Sequence, residues 1–471
     1  MNLEFIPPDA ESSESSARRP PQSTLFRNAT LLTMGPSCRV LEKASLLVEQ
    51  GRIADFRGGD ILYDSKSTRV VEASGRVLIP GLINAHTHLY SSLARGMPPP
   101  CAAPRNFREI LERVWWRLDK ALDHEITYWS ALAGLADSLR HGVTTLFDHH
   151  ASPFACEGSL DVIERAVRAI GLRGCLCYEV SDRDGMEIAQ QGILENARFL
   201  EKCRAGGLQV PDRQIQGLFG LHASFTLSNA TLEKARSSGA HLPCGYHIHV
   251  AEDLCDVNDA AEKYRSTVTA RLERFGILNP RTIAAHGVHL APEELPALAA
   301  SGSCLAHNPQ SNSNNAVGMA DLGRLLAAGV RVGLGTDGFT PRLFDEIRAV
   351  FTLQKQLRHD PAAAWQEAYQ LAFVENPRLA SEVFGIPLGR LEKGAAADLV
   401  LLNYLAPTPL TADNFLGHLY FGLVNAAVDS VMVGGHWLLQ HGLLTMLDEA
   451  ELAAKTREAA ARLWSRMEDQ P

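Results

Sequence analysis

The chain is expected to fold as an α/β protein: a (β/α)8 TIM-like barrel with a small β-sandwich formed from N- and C-terminal segments. Three observations predict this. Polar clusters recur where apolar, strand-like runs end: His86 and His88 in PGLINAHTHLY, His249 in HIHVAED, His286 in AAHGVHL and Asp337 in GLGTDG. Stretches of helical periodicity separate them. The β-type texture of the N-terminal part then returns near the C-terminus. Polar residues at the carboxyl ends of buried parallel strands are what a barrel presents at its catalytic face.

Taken in order, residues 1–22 (MNLEFIPPDAESSESSARRPPQ) lack an apolar stretch behind a basic one, so they read as a disordered extension rather than a secretory signal. Residues 23–77 carry short β-type runs, LFRNATLLTM and ASLLVEQGRIADF, broken by Gly and Asn. Residues 386–446 repeat that texture in ADLVLLN and DSVMVGGHWLL, and the two pieces are expected to pair into one composite domain. Residues 78–385 form the barrel, with strand ends expected near His88, His150, Tyr178, His222, His249, His286, His307 and Asp337. FREILERVWWRLDKAL, ITYWSALAGLADSLRHG and LDVIERAVRAIG supply helices between them. Residues 447–471 read as an Ala-rich amphipathic helix on the outside.

Composition narrows the function. A formal net charge of -9 leaves no basic footprint for nucleic acid, and no apolar run approaches the roughly 20 residues that a membrane helix needs. Nine cysteines without a CxxC pair fit reduced thiols in a cytoplasmic protein. The expected partner is a small molecule.

His86 and His88 alternate around Thr87, so on a strand both imidazoles face the same way. With His249 and Asp337 they make a mixed nitrogen and oxygen set that suits one divalent ion, zinc first and iron as the alternative. Such an ion lowers the pKa of bound water toward about 7, and Asp337 can both bind it and accept the water proton.

The motifs PGLINAHTH, HIHVAE, AAHGVHL, HNPQSN and LGTDG, in this order, resemble the amidohydrolase superfamily. The similarity is to the branch holding cytosine-deaminase-like, S-adenosylhomocysteine-deaminase-like and triazine chlorohydrolase enzymes. PRNF, WWRLDKALD, FDHHASP and HIHVAEDLCDV look most like the SsnA group of aminohydrolases, a group associated with purine-type catabolism. The resemblance implies metal ligands at His86, His88, His249 and Asp337, an acid/base glutamate at Glu252, and at His286 a histidine that contacts the activated water. It implies a homodimer by analogy. Because Val210 to Leu227 holds no lysine to bridge two metals, it also implies a mononuclear site.

Physical reasoning agrees with these roles: a buried glutamate can protonate a ring nitrogen and then the departing ammonia, and a histidine can stabilise the intermediate. Substrate contacts are expected from His222, His307 and Asn308, from His150 at the end of the second strand, and from Arg95 on an anionic group. Of the neighbours His149 and His150, one must face outward. Trp115 and Trp116 read as packing residues. The expected function is a metal-dependent hydrolytic deaminase of a purine- or pterin-like heterocycle. A ring-opening cyclic amide hydrolase or a chlorohydrolase would keep the same site, and a non-catalytic binding scaffold is the alternative of another class.

Overall fold

A computed structural model describes residues 23–99, 102–206, 214–239, 242 and 244–468. The expected N-terminal extension lies outside the described residues.

The N-terminal part forms β1 (Ser23–Leu32), β2 (Val40–Glu49), β3 (Arg52–Gly58), β4 (Thr68–Glu72) and β5 (Val77–Pro80). The turn between β2 and β3 is Gln50-Gly51, both with positive φ, the two-residue hairpin turn whose twist matches that of its strands. A Cβ on Gly51 would lie 2.6 Å from the Gly434 carbonyl oxygen, so glycine is required there twice over.

The barrel staves follow: β6 (Leu82–Thr87), β7 (Val143–His150), β8 (Arg173–Tyr178), β9 (Ile215–Gly217), β10 (Phe219–Ala223), β11 (Tyr246–Val250), β12 (Ile283–His286), β13 (Cys304–His307) and β14 (Arg331–Leu334). Neighbours pair in parallel as β6-β7-β8-β9 and β10-β11-β12-β13-β14. Leu218 alone separates β9 from β10, which together form one stave. Bridges from Val180 to Leu221 and from Thr87 to Asp337 close the ring. The result is the eight-stave α/β barrel that the sequence predicts. Its staves are buried almost throughout, which is why they read as apolar runs.

Helices return the chain between staves with ordinary signals. Before β7, Asp123 caps the helix His124–Arg140 by accepting from the Ile126 N–H at 2.8 Å. Gly142 (φ 80) then ends the turn that feeds β7.

The C-terminal part adds β15 (Leu399–Asn403), β16 (Ala427–Val433), β17 (His436–Gln440) and β18 (Leu443–Leu444). β15 pairs antiparallel with β5, so both ends of the chain share one nine-stranded sheet. That sheet is continuous in its pairing and folds over on itself, which makes the expected small β-sandwich. Phe26 on β1 and Trp437 on β17 have ring centroids 5.6 Å apart, although three strands lie between them in the sheet order, about 19 Å if it were flat. The sheet therefore curls over a core of its own that includes Leu31, Leu46, Leu78, Leu401 and Met432.

The last helix, Glu449–Glu468, lies against the barrel, with the Trp464 indole N–H donating to the Leu93 carbonyl at 3.0 Å. No helix among the described residues is long and apolar enough to cross a membrane. The described cysteines are all free.

Candidate metal centre and substrate cavity

The carboxyl ends of β6, β11, β12 and β14 meet at one mouth of the barrel. His86 and His88 leave β6 on the same side, His249 leaves β11, and His286 and Asp337 follow at the ends of β12 and β14. His286 (φ 79) and Asp337 (φ 54) both adopt left-handed backbone, a cost that non-glycine residues bear mostly at functional sites. The short 3-10 turn Leu89–Ala94 after His88 is pinned by the Leu89 N–H donating to Asp148 Oδ1 at 2.7 Å.

Hydrogen bonds set the tautomers. His88 donates from Nδ1 to the His149 carbonyl (2.6 Å) and His249 from Nδ1 to the His222 carbonyl (2.8 Å). When neutral, each ring thus carries its lone pair on Nε2, and these two atoms face one another at 3.2 Å. His86 Nδ1 pairs with His247 Nε2 at 2.8 Å, while its Nε2 is buried without a hydrogen-bond partner and lies 3.6 Å from Asp337 Oδ1. His88 Nε2 is 3.1 Å from the same oxygen. Three imidazole lone pairs and a carboxylate oxygen thus converge, an arrangement that repels itself unless something positive lies between. The set fits a divalent cation with nitrogen and oxygen ligands.

The electrostatics agree. Burial pushes His86 down to about 4. Burial works against charge on His88 too, but Asp337 outweighs it and raises His88 to about 9. Burial likewise opposes charge on Asp337, and its bonds to His86 and His88 hold it well below the usual carboxylate range. The centre attracts positive charge, and a metal ion competes with a proton for the same lone pairs.

Glu252, one turn of loop beyond His249, points its Oε2 at His286 Nε2 (3.4 Å), and burial, with Asp337 nearby, lifts its carboxyl well above the ordinary range. His286 donates from Nδ1 to Asn312 Oδ1 at 2.8 Å, leaving Nε2 toward Glu252 and, at 3.9 Å, Asp337 Oδ2. Asp337 Oδ2 also accepts from the Ser311 hydroxyl.

Beside these groups opens a cavity of about 300 Å³, whose walls include Glu252, Asp337, His222 and the aromatics Phe107, Trp115, Trp116 and Phe225. Trp115 and Trp116 therefore serve as cavity wall as well as packing. Arg95 stands at the mouth, mostly exposed and paired with Asp137 at 2.7 Å.

Three expected substrate contacts lie elsewhere. His150 is buried and bonded to Ser152 at 2.9 Å; alternation along β7 turns its neighbour His149 toward the histidine cluster instead. His307 and Asn308 are also fully buried and do not line the cavity, because the chain turns into the helix Pro309–Asn314 directly after them. HNPQSN reaches the site through Ser311 and Asn312.

Sequence reasoning passed over Glu179 and Arg183, which line the cavity. Arg183 is bound by Asp119 and Asp184, with its guanidinium carbon 5.2 Å from the centre of the Trp116 ring. Burial raises Glu179 to about 7. The signal was present: Glu179 is a charged residue immediately after a buried parallel strand.

Comparison with known proteins gives the same picture. Residues 77–438 match the Amidohydrolase family model. A 5-methylthioadenosine/S-adenosylhomocysteine deaminase of Desulforudis audaxviator is 31% identical over 93% of this chain and 98% of its own length. A 5'-deoxyadenosine deaminase of Methanothermobacter thermautotrophicus is 30% identical over 93% and 99%. An adenosine deaminase from Xanthomonas campestris with bound zinc superposes with a TM-score of 0.79 at 25% identity, over 94% of this chain and 98% of that one. An atrazine chlorohydrolase from Arthrobacter aurescens shares the fold, with a TM-score of 0.77 at 23% identity over 93% and 100%. The chain belongs to the amidohydrolase family, and it is an aminohydrolase acting on carbon–nitrogen bonds.

Proposed function

We propose that this amidohydrolase is a metal-dependent hydrolytic deaminase of an amino-substituted purine- or pterin-like ring, akin to the SsnA group. The observation that carries the reading is the convergence of four ligand groups beside one ring-sized cavity, whose wall holds His88, His249, Asp337 and Glu252, with His286 Nε2 3.4 Å from Glu252. The named substrates of the relatives support a purine-type ring.

His86, His88, His249 and Asp337 would hold one divalent ion, zinc by this donor set. When bound, the ion supplies Lewis acidity and a water of lowered pKa. The reaction adds water to the ring carbon that bears the amino group, releases ammonia and leaves a carbonyl. Asp337 takes the proton that the water gives up. His286, with its Nδ1–H held by Asn312, accepts from the attacking water at Nε2 and aims it at the carbon. Glu252, protonated because it is buried, donates to the neighbouring ring nitrogen, recovers a proton from the added hydroxyl as the carbonyl forms and passes it to the departing amino group, and the proton held by Asp337 restores it. Trp116, Phe225 and Phe107 exclude water and hold the ring.

The test is mass spectrometry with ammonia detection on zinc-loaded protein over a panel of purines, oxidised purines, pterins and cyclic ureides. An amino group exchanged for oxygen with ammonia released is expected. Water gained without ammonia, or chloride released, would move the protein to the ring-opening or dechlorinating enzymes. Glu252→Gln should keep the metal and lose about 10²–10⁴-fold in turnover. Asp337→Ala should lose metal and turnover together.

A further inference from the structure

Glu179 is 6% exposed, and among the described residues neither of its oxygens has a donor in hydrogen-bond geometry. Oε1 lies 3.5 Å from His222 Nε2, and Oε2 lies 3.4 Å from His149 Nδ1. With the proton of His222 on Nδ1 and that of His149 on Nε2, both of those nitrogens carry lone pairs. We assign the Thr226 hydroxyl hydrogen to the Ala223 carbonyl, so that His222 donates from Nδ1 to Thr226 Oγ1 (2.7 Å). His149 spends its N–H from Nε2 on the His247 carbonyl (3.1 Å). Acceptor therefore faces acceptor on both sides of the carboxyl group. A proton on Glu179 would relieve only one of the two.

Next to them Arg183 has the opposite need. Its Nη1 is buried without a hydrogen-bond partner and lies 3.9 Å from Glu179 Oε1, too far for a bond. Asp119, Asp184 and the Trp116 face fix the rest of the guanidinium, so it cannot swing across. Unsatisfied buried groups of this kind are costly unless a ligand completes them. Glu179, His222 and Arg183 all line the cavity, and the ligating atoms of Glu179, His222 and His249 lie within 4.8 Å of one another. Glu179 and His222 thus stand beside the ligand His249 on the cavity wall.

We propose that Glu179, His222 and Arg183 read one edge of the substrate ring, and that this edge is a lactam. Its N–H donates into Glu179 and His222, and its C=O accepts from Arg183 Nη1. This deepens the deaminase reading, on which its substrate class rests, by restricting the ring. A 6-aminopurine substituted at N9 carries only acceptors away from its amidine edge, and would set lone pairs against Glu179 and His222. A 2-amino-6-oxopurine or 2-amino-4-oxopteridine carries the amino carbon and the lactam side by side. It can present one to Glu252 and Asp337 and the other to Glu179 and Arg183.

Two measurements on the zinc-loaded full chain test this. In the first, calorimetry compares 9-methylhypoxanthine with 9-methylpurine, which differ only in the lactam and carry no amino group to lose. Wild type should bind the lactam at least about 10-fold more tightly, and Glu179→Gln, whose amide supplies the missing donor from within, should erase the difference. In the second, kcat/KM for guanine and pterin is compared with that for 5'-deoxyadenosine and 9-methyladenine. The lactam rings should lead by about 10²-fold or more, and Glu179→Gln should cut their kcat/KM by about 10²–10⁴-fold while sparing the others. Equal binding of the two methylated rings, adenine-type rings as good as lactams, or an unchanged preference in Glu179→Gln would each overturn the proposal. So would a second equivalent of zinc per chain that disappears in Glu179→Gln, since a cation would then be what the acceptors hold. If calorimetry discriminates yet no ring yields ammonia, the deaminase reading fails and the lactam reader stands.

Discussion

His86 can offer a cation only one ring nitrogen, and His247 decides which. An ion on Nε2 requires the proton on Nδ1, and His247 Nε2, 2.8 Å from Nδ1, is the acceptor that would hold it there. Partners of this kind orient ligand histidines and raise their basicity. His247→Ala is expected to weaken zinc affinity about 10–100-fold, measured by competition with a chelator, with the fold retained by circular dichroism. His247 was not singled out as a site residue from sequence, although HIHVAED places it two residues before His249. Its contact is across the barrel, with a residue 161 positions away. His86, His88, His249 and Asp337 were legible because strand ends and HxH spacing leave local marks. Glu179 and Arg183 were not, because their meaning depends on which nitrogen of His222 and His149 carries the proton.

Among elements, β7 holds the turn that follows β6. Asp148 on β7 is fully buried; its Oδ1 accepts from Leu89 N–H and its Oδ2 has no partner, and burial raises its carboxyl to about 7. The folded state therefore takes up a proton that the unfolded chain, with a pKa of about 4, does not. That contribution to stability is fully present below about pH 4 and is lost as pH rises through about 7. Asp148→Asn keeps the acceptor for Leu89 and has no proton to lose. Metal-free Asp148→Asn is accordingly expected to show a weaker fall in denaturation midpoint between pH 5.5 and pH 8 than metal-free wild type. At the same level, the sequence assigned the helix around Trp115 and Trp116 to packing, whereas its π-helical turn Leu111–Trp115 leads both indoles to the cavity wall. Helical periodicity marks an apolar face without telling core from cavity.

Across the whole molecule, the barrel and the curled sheet are joined by a buried ion pair. Arg173 at the start of β8 donates to both oxygens of Asp398 (2.7 and 3.1 Å), each side chain 2% exposed, and Asp398 also accepts from the Gly434 N–H at 2.8 Å. Removing one partner strands a buried charge. Arg173→Ala is expected to cost about 3–5 kcal/mol in chemical denaturation. The C-terminal helix is a second joint: it buries Leu452, Leu463 and Met467 and reaches the turn after His88 through Trp464. Truncation after Met446 should lower the melting temperature and raise KM together.

Strand and helix patterning, the chain order of the ligand motifs and the pairing of the terminal β-rich segments were determined by the sequence alone, because burial imposes local periodicities that survive in one dimension. Tertiary structure alone decided that the sandwich is one sheet folded over on itself, that His149 rather than His150 turns toward the histidine cluster, and that HNPQSN reaches the site through Ser311 and Asn312. It alone set the Glu179 oxygens beside ring nitrogens of His149 and His222. Those outcomes depend on contacts between residues far apart in the chain and on hydrogen-bond directions, for which no local pattern of residues is a sufficient record.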